Sequence, residues 1–254
     1  MQVIIDSPCD CTENAGMKDE YRIRFGTVGW QYPQWQEEYY PEELPEDWLL
    51  PFYGNEFPVV AVPASIWSAD PAGQIGEWLE NSDEHFRFIF EWPWKNAADL
   101  SEFCLRLKPL QTRTLGVLLQ IPWSACCRQN DLASVLADIS AGTPLCLEIM
   151  DENTARANTS ADFTATGFRD LLASAQVNCC WHGIETSHEV FFGKRKLAVT
   201  KITNTEIEVK QLRQVLETCS AQVQSHEHML VLFAGNPPAL DKVREAMVML
   251  ELLA

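Results

Sequence analysis

The sequence predicts an α/β protein, a TIM-type (β/α)8 barrel. Two observations carry that expectation: eight short apolar runs, and amphipathic helical stretches between most of them. A third is length, since 254 residues accommodate eight such units. A doubly wound sheet is the competing architecture, but no Gly-x-Gly-x-x-Gly follows a strand.

The strands are expected at Ile23–Val28, Val59–Val62, Phe86–Glu91, Thr114–Ile121, Leu145–Met150, Val177–Trp181, Lys196–Ile202 and Met229–Ala234. Several are near-continuous apolar runs, as strands covered on both faces should be. Pro45–Asn55 reads as the first helix. Ala97–Leu110 carries a stripe of Leu100, Phe103, Cys104 and Leu107, and Asn130-Asp131 opens a helix over Leu132–Ile139. Phe163–Ala175 places Phe168, Leu171 and Leu172 on one side. Thr205, Glu206 and Glu208 give an acidic start to a stripe through Val209, Leu212, Val215 and Leu216. Pro237-Pro238 opens the last helix, Ala239 to Leu253. Residues 1–20, rich in turn formers, read as a flexible tail ahead of one barrel domain over residues 21–254.

Composition narrows the function. Hydrophobic residues make up 46% and charged residues 22%, as in a globular protein, and no run approaches the roughly 20 apolar residues of a membrane span. A surface with 19 basic and 36 acidic residues, net −17, repels a phosphate backbone, so no nucleic-acid partner is expected. The short basic run Lys194-Arg195-Lys196 reads as a solvated turn. Nine cysteines without Cys-x-x-Cys spacing, behind an N-terminus unlike a signal peptide, suit reduced thiols in a cytoplasmic protein. Cys9-Asp10-Cys11 is a weak metal motif in a polar tail. No nucleophile elbow, phosphate loop or His-Glu-x-x-His is present, and no cofactor is expected.

The stretch Gly26–Tyr53 concentrates Trp30, Trp35, Trp48, Tyr32, Tyr39, Tyr40 and Tyr53 among Pro33, Pro41, Pro45 and Pro51. Such a loop packs on itself. It reads as a plug closing one end of the core, as the wall of a binding site, or as both.

Strand parity nominates a site. In a barrel, side chains alternate between lumen and helices, and active sites lie at the carboxyl ends of the strands. The bulky Leu145, Leu147 and Ile149 suit the helix side and send Cys146 and Glu148 inward. Likewise Phe86, Phe88 and Phe90 face helices, which turns Arg87, Ile89 and Glu91 inward. In the fourth strand Leu118 and Gln120 point in. Glu91, Gln120 and Glu148 then share one mouth, with Glu148 facing water-reachable space. Three readings follow. Glu91 and Glu148 form a general acid/base pair. They take a divalent metal with His182. Or they pair with Lys95, Lys201 or Arg87 in a structural network. Trp30, Tyr32, Trp67 and Trp92 around such carboxylates, with Gln120, His182 and Lys201, would suit a small polar or sugar-like ligand. A barrel with this mouth acts as an enzyme, or has lost catalysis and serves as a ligand-binding or protein-interaction module.

The run Arg24-Phe25-Gly26-Thr27-Val28-Gly29-Trp30-Gln31-Tyr32-Pro33-Gln34-Trp35 resembles the opening of the YecE-like family, domain of unknown function 72. That family opens on Gly-Thr-Ser-Gly-Trp-x-Tyr-x-x-Trp and continues into Phe-Tyr-Pro, matched by Tyr39-Tyr40-Pro41, and into a leucine-rich helix, matched by Leu44 to Phe57. A weaker likeness continues at Phe86-Arg87-Phe88, Leu115 to Pro122, Leu147-Glu148 and Leu230 to Leu253. The resemblance implies a TIM barrel related to sugar isomerases. The mouth departs from the family pattern. Ala61 and Pro63 stand where the family has Glu and Asn, and Glu91-Trp92-Pro93 replaces a Lys before the proline. Glu148 is kept, but Met150 and Asp151 follow it where the family has Arg-His.

Overall fold

A computed structural model describes residues 23–67, 71–122, 129–150, 166–183 and 195–253. The expected tail, Cys9, Cys11, Cys126, Cys127, His188 and Lys194 lie outside the described residues. The strands are β1 (Ile23–Val28), β2 (Val59–Val62), β3 (Arg87–Pro93), β4 (Thr114–Pro122), β5 (Leu145–Met150), β6 (Asn178–Cys179), β7 (Arg195–Ile202) and β8 (His226–Phe233). Every pairing between them is parallel, in the order β6-β5-β4-β3-β2-β1-β8-β7. The remaining seam closes through residues just past β6. Trp181 pairs with Thr200, its N–H donating to the Val199 carbonyl (3.0 Å) and its carbonyl accepting from Lys201 N–H (2.7 Å). The Asn178 amide donates across the same seam to the Leu197 carbonyl (2.8 Å). The chain is thus a nearly closed (β/α)8 barrel.

The helices are α1 (Glu46–Gly54), α2 (Ala64–Trp67), α3 (Pro71–Glu80), α4 (Ala97–Arg106), α5 (Gln129–Ser140), α6 (Thr166–Ala175), α7 (Val209–Gln222) and α8 (Leu240–Leu253). Most boundaries agree with the sequence within a few residues. β6 is shorter than Val177–Trp181, and Trp181 joins β7 as a single bridge. α4 stops at Arg106, and a short 3-10 turn, Lys108–Leu110, takes over where Pro109 cannot continue the ladder. α2 and α3 are additions. Gly73 and Gly76 dilute the apolar pattern of α3, yet Ile75 and Trp78 are buried.

Alternation along the strands divides the interior in two. Phe25, Val60, Phe88, Phe90, Val117, Leu119, Leu147, Ala198 and Val231 join the cluster beneath the helices. Val28, Val59, Ala61, Ile89, Leu118, Cys146, Cys180, Val199, Leu230 and Leu232 fill the lumen. The parity read from β3, β4 and β5 therefore holds. Strand tilt raises the level by one residue per strand, so the register groups the lumenal residues into layers from alternate strands. Gly26, Ile89, Cys146 and Val199 make one, and Ala61, Leu118, Cys180 and Leu232 the next.

The aromatic loop packs on itself and onto α1 and α3. Trp35 meets Tyr32, Tyr39 and Tyr40 at centroid distances of 4.7, 5.6 and 6.1 Å, and Trp30 meets Trp78 of α3 edge-on at 5.7 Å. Gly29, at φ +78°, turns the chain out of β1, and its N–H donates to the Ala61 carbonyl (2.7 Å). Beneath, the buried Tyr53 hydroxyl accepts from Thr27 N–H (2.9 Å) and donates to the Val59 carbonyl (3.1 Å), tying α1 to β1 and β2.

Gly26 faces the lumen where β1 and β2 approach closely; a Cβ there would overlap the Val59 carbonyl oxygen and carbon. Backbone cannot yield as a flexible side chain would. Gly26→Ala should cost more than about 3 kcal/mol in urea unfolding. A loss below about 1 kcal/mol would show that β1 and β2 are not packed this closely.

Candidate functional site

One layer above Ala61, Leu118, Cys180 and Leu232, the odd-numbered strands contribute Val28, Glu91, Glu148 and Lys201. Three of the four are charged, and all three are buried: Glu91 is 6% exposed, Glu148 3% and Lys201 8%. The Lys201 ammonium lies between the carboxylates, 2.8 Å from Glu91 Oε1 and 2.9 and 3.0 Å from the two oxygens of Glu148. Gln120 Nε2 donates to Glu148 Oε2 (3.1 Å), and His182 Nε2 lies 3.9 Å from Glu148 Oε1. Glu91, Gln120, Glu148, His182 and Lys201 thus converge at the carboxyl ends of the strands.

Burial pushes the Glu91 carboxyl above the usual carboxylate range, Lys201 opposes that push and Glu148 adds to it. Burial pulls the Lys201 ammonium down, but the two carboxylates outweigh it and hold Lys201 above an ordinary lysine. Lys201 is therefore a fixed positive charge at neutral pH. The Tyr32 hydroxyl is pushed up to about 12, first by burial and then by Glu91, with Lys201 opposing. Tyr32 is thus within electrostatic reach of the layer, and it donates to the Val28 carbonyl (2.5 Å).

Glu148 does not face open water as expected; the ammonium covers it, and the ion-pair reading is realised through Lys201. Arg87, at the opposite end of β3, donates to the Glu84 and Phe86 carbonyls, and the Lys95 ammonium lies 6.0 Å above the Trp92 ring. The ammonium also fills the space in which a metal bridging Glu91 and Glu148 would sit. Among the described residues, no three His, Cys, Asp or Glu side chains are arranged to hold a metal ion.

Three expected aromatics do not surround the carboxylates. Trp30, Trp67 and Trp92 belong to the cluster outside the strands. The reason is parity: Glu91 points in, so its neighbour Trp92 points out, stacking on Phe103 of α4 (4.0 Å) and on Trp67 (4.4 Å). The Trp67 indole donates to the Glu91 carbonyl (3.2 Å) from that outer side. Cys180, in the layer beneath, is a floor to the cluster that no motif in the sequence signals; burial first, then Glu148, holds its thiol well above the ordinary range.

Lys201→Met leaves two buried carboxylates without their cation and should cost about 3–5 kcal/mol at pH 7. The sign with pH follows from the direction of the shift. Folding raises the Lys201 pKa above 10.5, so its contribution is complete below that value and is lost as pH rises through the folded value. Denaturation of wild type and variant from pH 7 to 11 should therefore show the gap narrowing only at the alkaline end. A gap under about 1 kcal/mol at pH 7 would mean that the ammonium does not hold the carboxylates.

The profile of the family described as "Protein of unknown function DUF72" matches residues 24–254. Two crystal structures of DUF72 family proteins are similar. One, from Thermotoga maritima MSB8, is 15% identical with a TM-score of 0.70, over 91% of this chain and 100% of that one. The other, from Enterococcus faecalis V583, is 13% identical with a TM-score of 0.64, over 90% and 95%. At such identities the likeness is one of fold alone. No curated protein matches the sequence. With the family profile spanning residues 24–254, the chain belongs to the DUF72 family, the YecE-like proteins.

Proposed function

We propose that the protein is an enzyme that binds a small, hydroxyl-rich metabolite at the C-terminal mouth of the barrel and moves a proton on it. The observation that carries this reading is the layer of Glu91, Glu148 and Lys201, three buried charges where the layers beneath are almost wholly apolar. Each buried ion costs several kcal/mol in desolvation, and apolar side chains of similar volume are commonly as stable or more so. A barrel with no use for these charges gains little by keeping them at the end where barrels do chemistry.

The roles follow from the electrostatics. Two carboxylates against one ammonium leave acceptors in surplus, which favours a ligand rich in hydroxyl donors over a phosphate or carboxylate. Glu91, with its pKa raised, is the proton-transfer group. Lys201, held protonated, stabilises negative charge developing on the substrate and is not a Schiff-base nucleophile. Glu148 holds Lys201, and Gln120 and His182, one level above, orient the ligand. Tyr32 closes the β1 side.

A panel of aldoses, ketoses and polyols, tested by thermal shift and then by NMR in deuterated water, examines the reading. At least one compound should raise the melting temperature and take up solvent deuterium at carbon. Glu91→Gln should keep the thermal shift and slow exchange by about 100-fold or more. In the wild type, the rate should climb as pH rises through the raised Glu91 pKa. Binding without exchange would favour a binding barrel that has lost catalysis; no binding by any compound would contradict the proposal.

A further inference from the structure

We infer a second ligand site outside the lumen, a cleft of about 400 Å³ that takes a small carboxylate bearing an amide. The cleft runs between α2 and α4, and its lining includes Ser65, Trp67, Trp92, Lys95, Asp99 and Arg106. Trp67 and Trp92 are stacked and give it an apolar wall. Two of its groups lack partners: the Trp92 indole nitrogen and Asp99 Oδ2 are both buried, and neither makes a hydrogen bond. Buried donors and acceptors are nearly always paired, so a covered donor and a covered acceptor in one cleft call for a partner that offers both. An amide does so, its carbonyl accepting from the indole and its N–H donating to the carboxylate.

The charge of the ligand follows from the remaining residues. Lys95, exposed, lies across the Trp92 ring at 6.0 Å. Arg106, paired with Glu102, stands at the far end of α4. Arg106 is thus already neutralised and Asp99 sits at the amide end, so Lys95, for which no carboxylate partner stands among the described residues, is the cation that a ligand carboxylate would meet. Lys95 turns from the ring face to the carboxylate of the ligand, and the two covered groups become reachable as the ligand enters. The cleft lies behind Glu91, on the other face of β3, so this inference does not rest on the chemistry proposed for the lumen.

N-acetylglycine is the probe, with acetate and N-acetylglycinamide as its charge-only and amide-only halves. In ¹H–¹⁵N spectra of the full chain, N-acetylglycine should shift the Trp92 indole resonance, assigned through Trp92→Phe, and saturate below about 10 mM. Lys95→Ala, at an exposed position, should weaken binding by about 3- to 5-fold. Asp99→Asn serves as a second variant should Trp92→Phe not fold, and should change the preference between the probe and acetate. Either half binding as well as the whole probe overturns the assignment, as does an indole resonance that does not move in a saturable way.

Discussion

The upper half of the barrel depends on one ammonium group held between two carboxylates. Lys201 reaches Glu91 and both oxygens of Glu148 within 3.0 Å, and the three side chains come from strands that are not neighbours in the sheet. Each of them would be a costly orphan without the others. The ladder register brings the three to one level, and closure at the β6–β7 seam is what delivers Lys201 to the other two. The Trp181 carbonyl accepts from the Lys201 backbone N–H, so the residue that completes the barrel also sets the residue that completes the cluster.

Below that layer the chemistry is simple. Ile89, Cys146, Val199, Ala61, Leu118, Cys180 and Leu232 fill the lumen with apolar atoms, and Gly26 leaves room for the approach of β1 to β2. This dry floor raises the Glu91 carboxyl and gives Lys201 a strong field. The aromatic loop belongs to the same design. Its rings pack on one another and on α1 and α3 and hold the β1 end in place, and the Tyr32 hydroxyl, bonded to the Val28 carbonyl, feels the charges of Glu91 and Lys201.

Much of this was legible in the sequence. β3, β4 and β5 carry bulky residues at alternate positions, and that pattern placed Glu91, Gln120 and Glu148 correctly inside. The same alternation in β7, with Leu197 and Val199 inward, turns Lys201 inward as well, but its level against the carboxylates is set only by the register. What the sequence did not disclose is that the pair would be capped by this lysine and lie buried rather than open, because closeness across non-neighbouring strands depends on register and tilt. The tryptophans mislead for a similar reason. Trp67 and Trp92 are near the mouth in sequence, but the parity that sends Glu91 in sends Trp92 out. Val177–Trp181 reads as a strand, but its division into the two-residue β6 and a single bridge at Trp181 is not visible in the sequence.

The central claim is that the charged layer is kept for function rather than for stability. Replacing all three charges at once, in a Glu91→Leu, Glu148→Leu, Lys201→Met variant, tests it most directly through urea unfolding beside the wild type. A layer retained for function predicts a folded variant within about 1 kcal/mol of wild type, or more stable than it. A loss of more than about 3 kcal/mol would make the layer a structural necessity and contradict the account.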